Sequence, residues 1–177
     1  MPQFQKARGD RLMSEETQTH VAGALPLERL GSMSGLEVVR AMSEGSLPVP
    51  PIMLLFAFRP VEIESGRVVF AAAPDERHYN PLGTVHGGYI SALLDSAMSC
   101  AVHTLLPPGQ LYTTLELKVN FTRAVTADAE IRAEGKVLHH GRSIATAEAR
   151  LFDTRERLLA HATTTCMIFA AGRTPNG

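Results

Sequence analysis

The stretch NPLGTVHGGYISALLDSAMSC, residues 80–100, decides the fold. Residues 89–102 are almost wholly small or apolar, the composition of a helix that must be covered on nearly every side. One carboxylate, Asp95, stands in the middle of that helix, and His86, Gly87 and Gly88 stand at its start. Ala92, Leu93, Leu94, Ala97 and Met98 leave little room for a polar stripe beyond Ser91 and Ser99. A buried carboxylate without partners is costly, so this acid is expected to have partners or a purpose.

Working outward, Pro107, Pro108 and Gly109 stop the helix, which is placed at about 87–105. Downstream the signal is all strand. In TTLELKVNFT, residues 113–122, Leu115, Leu117, Val119 and Phe121 alternate with Glu116, Lys118, Asn120 and Thr122. Such alternation predicts a sheet with one packed face and one wet face. Residues 129–152 predict a long hairpin turning at His140-Gly141, and residues 155–169 a last strand rich in β-branched side chains.

Upstream, residues 52–74, IMLLFAFRPVEIESGRVVFAAAP, are predicted as two strands around the turn Glu64-Ser65-Gly66-Arg67. Residues 75–85 form a loop, with Pro74 and Pro81 as breakers. Residues 25–45 predict one or two short helices with Leu36, Val39 and Met42 on one face. The division is then a flexible extension over 1–24, a helical segment over 25–45, the main domain over 46–170 and a flexible tail over 171–177. The order is helix, two strands, one long apolar helix and about four antiparallel strands. The predicted class is α+β, with a curved antiparallel sheet wrapped around the long helix.

Bulk properties set the limits. The chain has 177 residues, 45% hydrophobic and 20% charged, with a net charge of -1, which suits one globular domain with a real core. That balance gives no electrostatic reason to expect nucleic acid or an acidic membrane surface as partner. The charged first residues lack the apolar core of a signal peptide, and no window approaches a membrane span, so a cytoplasmic location is expected. Cys100 and Cys166 lie in apolar runs and are read as reduced core residues. The seven histidines show no HxH or HExxH pattern, and no metal site is expected. His103 and His161 are placed in the core or an interface, and His139 and His140 at an exposed turn.

The string Asn80-x5-His86-Gly87-Gly88-x6-Asp95 resembles the active-site signature of hotdog-fold acyl-CoA thioesterases of the PaaI-like, phenylacetate-degradation and 4-hydroxybenzoyl-CoA thioesterase-like type. LELKVNFTRAV and GRSIATAEARLFD resemble later strands of the same family, and the resemblance spans roughly residues 46–170. It implies a hotdog fold and hydrolysis of an acyl-CoA with an aromatic or medium-chain acyl group, without a cofactor. It assigns the catalytic carboxylate to Asp95 and the oxyanion donor to the Gly87 backbone N–H. Asn80 and His86 then place the thioester and the attacking water. A hydroxyl that positions water falls on Thr113. Ser99, one helical turn beyond Asp95, is within reach of the carboxylate or the acyl group. Gly88 joins the substrate-binding set, and Leu82, Tyr89 and Met98 are candidates for the acyl pocket. Arg142 and Arg123 are candidates for the phosphates of CoA.

This assignment is chemically coherent. The leading N–H groups of a helix lack intrahelical partners and carry its positive dipole, which suits an oxyanion. Asp95 can activate water or attack the thioester directly to give a mixed anhydride. Gly87 and Asp95, however, are separated by roughly 12 Å along the helix axis at ~1.5 Å per residue. One helix cannot serve both ends of one bond. A homodimer, doubled in the family into tetramers, would pair Gly87 of one chain with Asp95 of the other. Two rival functions use the same fold or ligand. A hydratase or dehydratase would carry an HFPG or Asp-x4-His string, and neither occurs. A non-catalytic acyl-CoA sensor would need an output domain, and the first 45 residues lack a basic recognition helix.

Overall fold

The computed structural model describes residues 20–25, 27–127 and 130–172. The expected extension over 1–19 and most of the expected tail, 173–177, lie outside the described residues. Three short helices come first: α1 (Leu27–Ser32), α2 (Gly35–Ser43) and α3 (Pro51–Leu55). Strands β1 (Phe58–Glu64) and β2 (Arg67–Ala72) follow, then helix α4 (Gly87–His103). The chain ends in β3 (Gln110–Phe121), β4 (Ile131–His140), β5 (Ile144–Asp153) and β6 (Leu158–Ala170). All six strands form one antiparallel sheet in the order β1-β2-β4-β5-β6-β3.

The sheet curls around α4, as the apolar run requires. Leu93, Leu94, Ala97, Met98, Ala101 and Val102 are wholly buried. Burying each leucine contributes about 1.5–3 kcal/mol. The facing strand residues are small: Ala133, Ala145, Ala147 and Ala149 are buried beneath the helix. Gly135 of β4 marks the tightest approach, because a Cβ there would stand 2.4 Å from the carbonyl carbon and oxygen of Ala97. Only a residue without a side chain lets the helix backbone rest on the sheet at that point.

The α2 helix begins at a capping box. The Ser34 N–H donates to Glu37 Oε2 at 2.8 Å, and the Glu37 N–H donates to Ser34 Oγ at 3.3 Å. Its buried face, Val38, Val39 and Met42, closes one end of the core. Residues 20–24, counted above with the extension, include Ala22, which pairs with Val49.

Four sequence expectations need correction. Residues 51–55 form helix α3 and not the start of a strand. Pro51 occupies its first turn, where the missing N–H costs nothing. The central helix ends at His103, because Thr104 caps it before the prolines are reached. His161 faces solvent on β6. On β3 the expected packed face is open, with Leu115 57% and Phe121 53% exposed. The reason is topological: β3 is an edge strand paired only with β6, and a register shift at Thr114/Glu116 breaks its alternation.

Candidate active site

The loop before α4 is built by Asn80. Its Oδ1 accepts from the N–H groups of Leu82, at 2.9 Å, and Thr84, at 3.3 Å. Its Nδ2 donates to Thr84 Oγ1 at 2.9 Å. The side chain therefore holds the turn in shape and still has one amide N–H to offer. Gly83, at φ +72°, completes that turn, and Leu82 projects from its tip into solvent.

His86 is the N-cap of α4. Its Nδ1 accepts from the Gly88 N–H at 2.8 Å, which fixes the neutral ring with its proton on Nε2. The Tyr89 N–H donates to the His86 carbonyl at 3.0 Å. Among the described residues, the Gly87 N–H has no partner. Of the first N–H groups of the helix it is the one left to meet a ligand, at the positive end of the dipole. Tyr89 is buried, and its hydroxyl donates to the Phe56 carbonyl at 2.8 Å, tying the start of α4 to the end of α3.

A cleft of about 370 Å³ opens at this point. Asn80, Gly87 and Arg123 line it together with Val85, Ile90, Phe121 and Val125. Arg123 is fastened there, since its Nη1 donates to the Leu158 carbonyl at 2.9 Å.

Asp95 forms a second polar group further along α4. Two hydroxyls converge on its Oδ1: Thr114 Oγ1 at 3.1 Å and Ser99 Oγ at 3.3 Å. These hydroxyls are themselves 3.3 Å apart. No cation pairs with Asp95 among the described residues, and its Oδ2 takes no bond there. Its neighbours are neutral. Burial, and then the Asp95 carboxylate, push the Cys100 thiol up to about 12. Burial foremost also raises the Tyr112 phenol and the Cys166 thiol. Both cysteines are free.

The structure thus sorts the sequence candidates into two groups on one helix. Asn80, His86, Gly87, Gly88 and Arg123 lie around the helix start, and Asp95 and Ser99 lie beyond it. Met98 is fully buried in the core, away from the cleft lining. Arg142 is exposed in the β4–β5 turn and is not part of that lining. The hydroxyl that β3 sends to Asp95 belongs to Thr114, one position after Thr113. Phe121, unassigned from sequence, lies directly against Gly87: a Cβ on Gly87 would stand 3.1 Å from Phe121 Cζ. No group of three or more His, Cys, Asp or Glu suits a metal among the described residues. Nor is any described helix long and apolar enough to cross a membrane.

Residues 82–160 match the family described as the thioesterase superfamily. The chain is 30% identical over 95 residues to the proofreading thioesterase EntH of Klebsiella pneumoniae, a match covering 54% of this chain and 69% of that protein. The chain belongs to the thioesterase superfamily. This thioesterase is also 27% identical over 99 residues to the 1,4-dihydroxy-2-naphthoyl-CoA hydrolase of Listeria monocytogenes, over 56% of this chain and 80% of that protein. Its fold superposes on the E. coli PaaI protein of the phenylacetic acid degradation operon with a TM-score of 0.70. That match covers 80% of this chain and 97% of the other at 16% identity, a likeness of fold alone. The thioesterase has the hotdog fold and is of the PaaI-like type expected from the Asn80–Asp95 string.

Proposed function

We propose that this thioesterase hydrolyses an acyl-CoA with an aromatic or medium-chain acyl group to the free acid and CoA. The observation that carries the reading is the state of Asp95: a carboxylate with no cation, one oxygen held by two hydroxyls, and the other left to react. The thioester oxygen is received by the Gly87 N–H, where a developing negative charge gains most from fixed donors. Asp95 Oδ2 takes the proton of a water that attacks the thioester carbon, or attacks that carbon itself. Collapse of the tetrahedral adduct breaks the C–S bond and releases the CoA thiolate. His86 Nε2–H and the remaining Asn80 amide N–H are donors for orienting the thioester. Arg123 is a candidate for the CoA phosphates at the cleft, and Arg142 is a more remote one.

The site is proposed to be shared by two chains of a homodimer, itself paired into a dimer of dimers. Support comes from the cleft, which takes in Gly87 and not Asp95 within one chain. Further support comes from β3, a twelve-residue edge strand showing Leu115 and Leu117 to solvent, the kind of edge that pairs with another copy. The compartment is proposed to be the cytoplasm. Incubation of the purified protein with benzoyl-, phenylacetyl-, hexanoyl- and acetyl-CoA and a thiol reagent tests the activity. Thiol release from at least one acyl-CoA is expected; tight binding without release would contradict it.

A further inference from the structure

We propose that Phe121 is a specificity-determining residue, whose ring is the wall against which the acyl group lies when its carbonyl reaches the Gly87 N–H. This rests on the acyl-CoA hydrolase reading above and deepens it. Three observations converge on the ring. Its edge lies against Gly87, where an added Cβ would stand 3.1, 3.5 and 3.6 Å from Cζ, Cε1 and Cε2. Gly87 has ordinary helical geometry, so its lack of a side chain serves close approach and not an unusual φ. The ring also lines the cleft together with Val85, Ile90 and Val125, an apolar surface beside the one free N–H of the helix start. Finally, Phe121 is 53% exposed, so its outer face is open to a ligand.

The ring is held in place by its backbone. Phe121 ends β3 opposite Ala160, and the two residues after it are fastened to β6. The Thr122 and Arg123 N–H groups donate to the Leu159 carbonyl at 2.8 and 3.1 Å. Thr122 Oγ1 and Arg123 Nη1 donate to the Leu158 carbonyl at 2.8 and 2.9 Å. A cleft of about 370 Å³ is at the small end of ligand sites, ~300–1,000 Å³, and has room for an acyl group but not for a whole CoA. A flat aromatic acyl group gains offset or edge contact with the ring, whereas a branched acyl group meets it as an obstacle.

The test compares kcat/KM for benzoyl-CoA and for a branched aliphatic acyl-CoA, such as pivaloyl-CoA, in the full-length protein, in Phe121→Ala and in Phe121→Leu. The ratio of aromatic to branched is expected to fall at least about tenfold in both variants, within the range by which apolar pockets discriminate. Phe121→Leu keeps apolar bulk at the edge strand, so it provides the answer if Phe121→Ala does not fold. An unchanged ratio, including an equal loss on both substrates, would overturn the proposal, because a ring touching only the shared CoA arm cannot discriminate acyl groups. No thiol release by the unmutated protein from any acyl-CoA would instead overturn the hydrolase reading, and this proposal with it.

Discussion

Thr114 Oγ1 donates to Asp95 Oδ1 at 3.1 Å, joining the sheet edge to the middle of the central helix across nineteen positions of sequence. With Ser99 on the same oxygen, it orients the carboxylate so that Oδ2 is the atom presented to a substrate. Thr114→Val removes that donor with little change of shape. Its kcat is expected to fall roughly ten- to a hundredfold with KM nearly unchanged, in line with ~1.5–3 kcal/mol for a hydrogen bond to a charged group. Thr114→Ser should restore most of the rate. A Thr114→Val enzyme with normal kcat would show that the hydroxyl serves packing alone.

Asp95→Asn keeps the shape of the side chain and removes its charge. Turnover is expected to drop by about 10²–10⁴, while acyl-CoA binding by calorimetry and the thermal midpoint change little. Retention of more than about a tenth of kcat would place the chemistry elsewhere.

Gly87→Ala keeps the proposed donor N–H and puts a methyl group 3.1 Å from Phe121 Cζ, where the thioester must approach. A loss of about 10²-fold or more in kcat is expected, comparable to removing an oxyanion donor. Steady-state kinetics like those of the unmutated enzyme would reduce Gly87 to a helix start.

A further prediction concerns stability. Burial lowers His103 from its ordinary 6.5 to about 4. The folded chain therefore keeps this ring neutral while the unfolded chain protonates it below about 6.5. Stability from this group is complete above pH 6.5 and is lost as pH falls towards 4, by about 3 kcal/mol in full. Urea unfolding of His103→Leu at pH 7 and pH 4.5 should show a smaller acid loss than the unmutated protein. Equal losses in both would mean that other groups set the acid limit.

Much of this was legible in the sequence because it rests on local pattern. The apolar run through Leu93 and Met98 could only be a covered helix, and the strand order after it follows from alternation and Gly141. What escaped depends on three-dimensional register. Counting along the chain led to Thr113, whereas the register shift at Thr114/Glu116 leaves Thr114 as the residue that meets Asp95. The sequence shows two adjacent threonines and cannot choose between them. Phe121 looked like an inward residue of a packed face, and only the edge position of β3 reveals it as a cleft wall. Helix α3 was missed although Pro51 at its first turn was an available signal.

The central claim is that Gly87 of one chain and Asp95 of another act on one thioester, and subunit mixing tests it most directly. Asp95→Asn chains and Gly87→Ala chains, each inactive alone, are exchanged, and heterodimer formation is verified by mass. Each heterodimer then holds one site with both native groups and one with neither. The account predicts recovery of thiol release approaching half the native rate per heterodimer. No recovery after verified exchange, or a fully active monomer by light scattering, would contradict it.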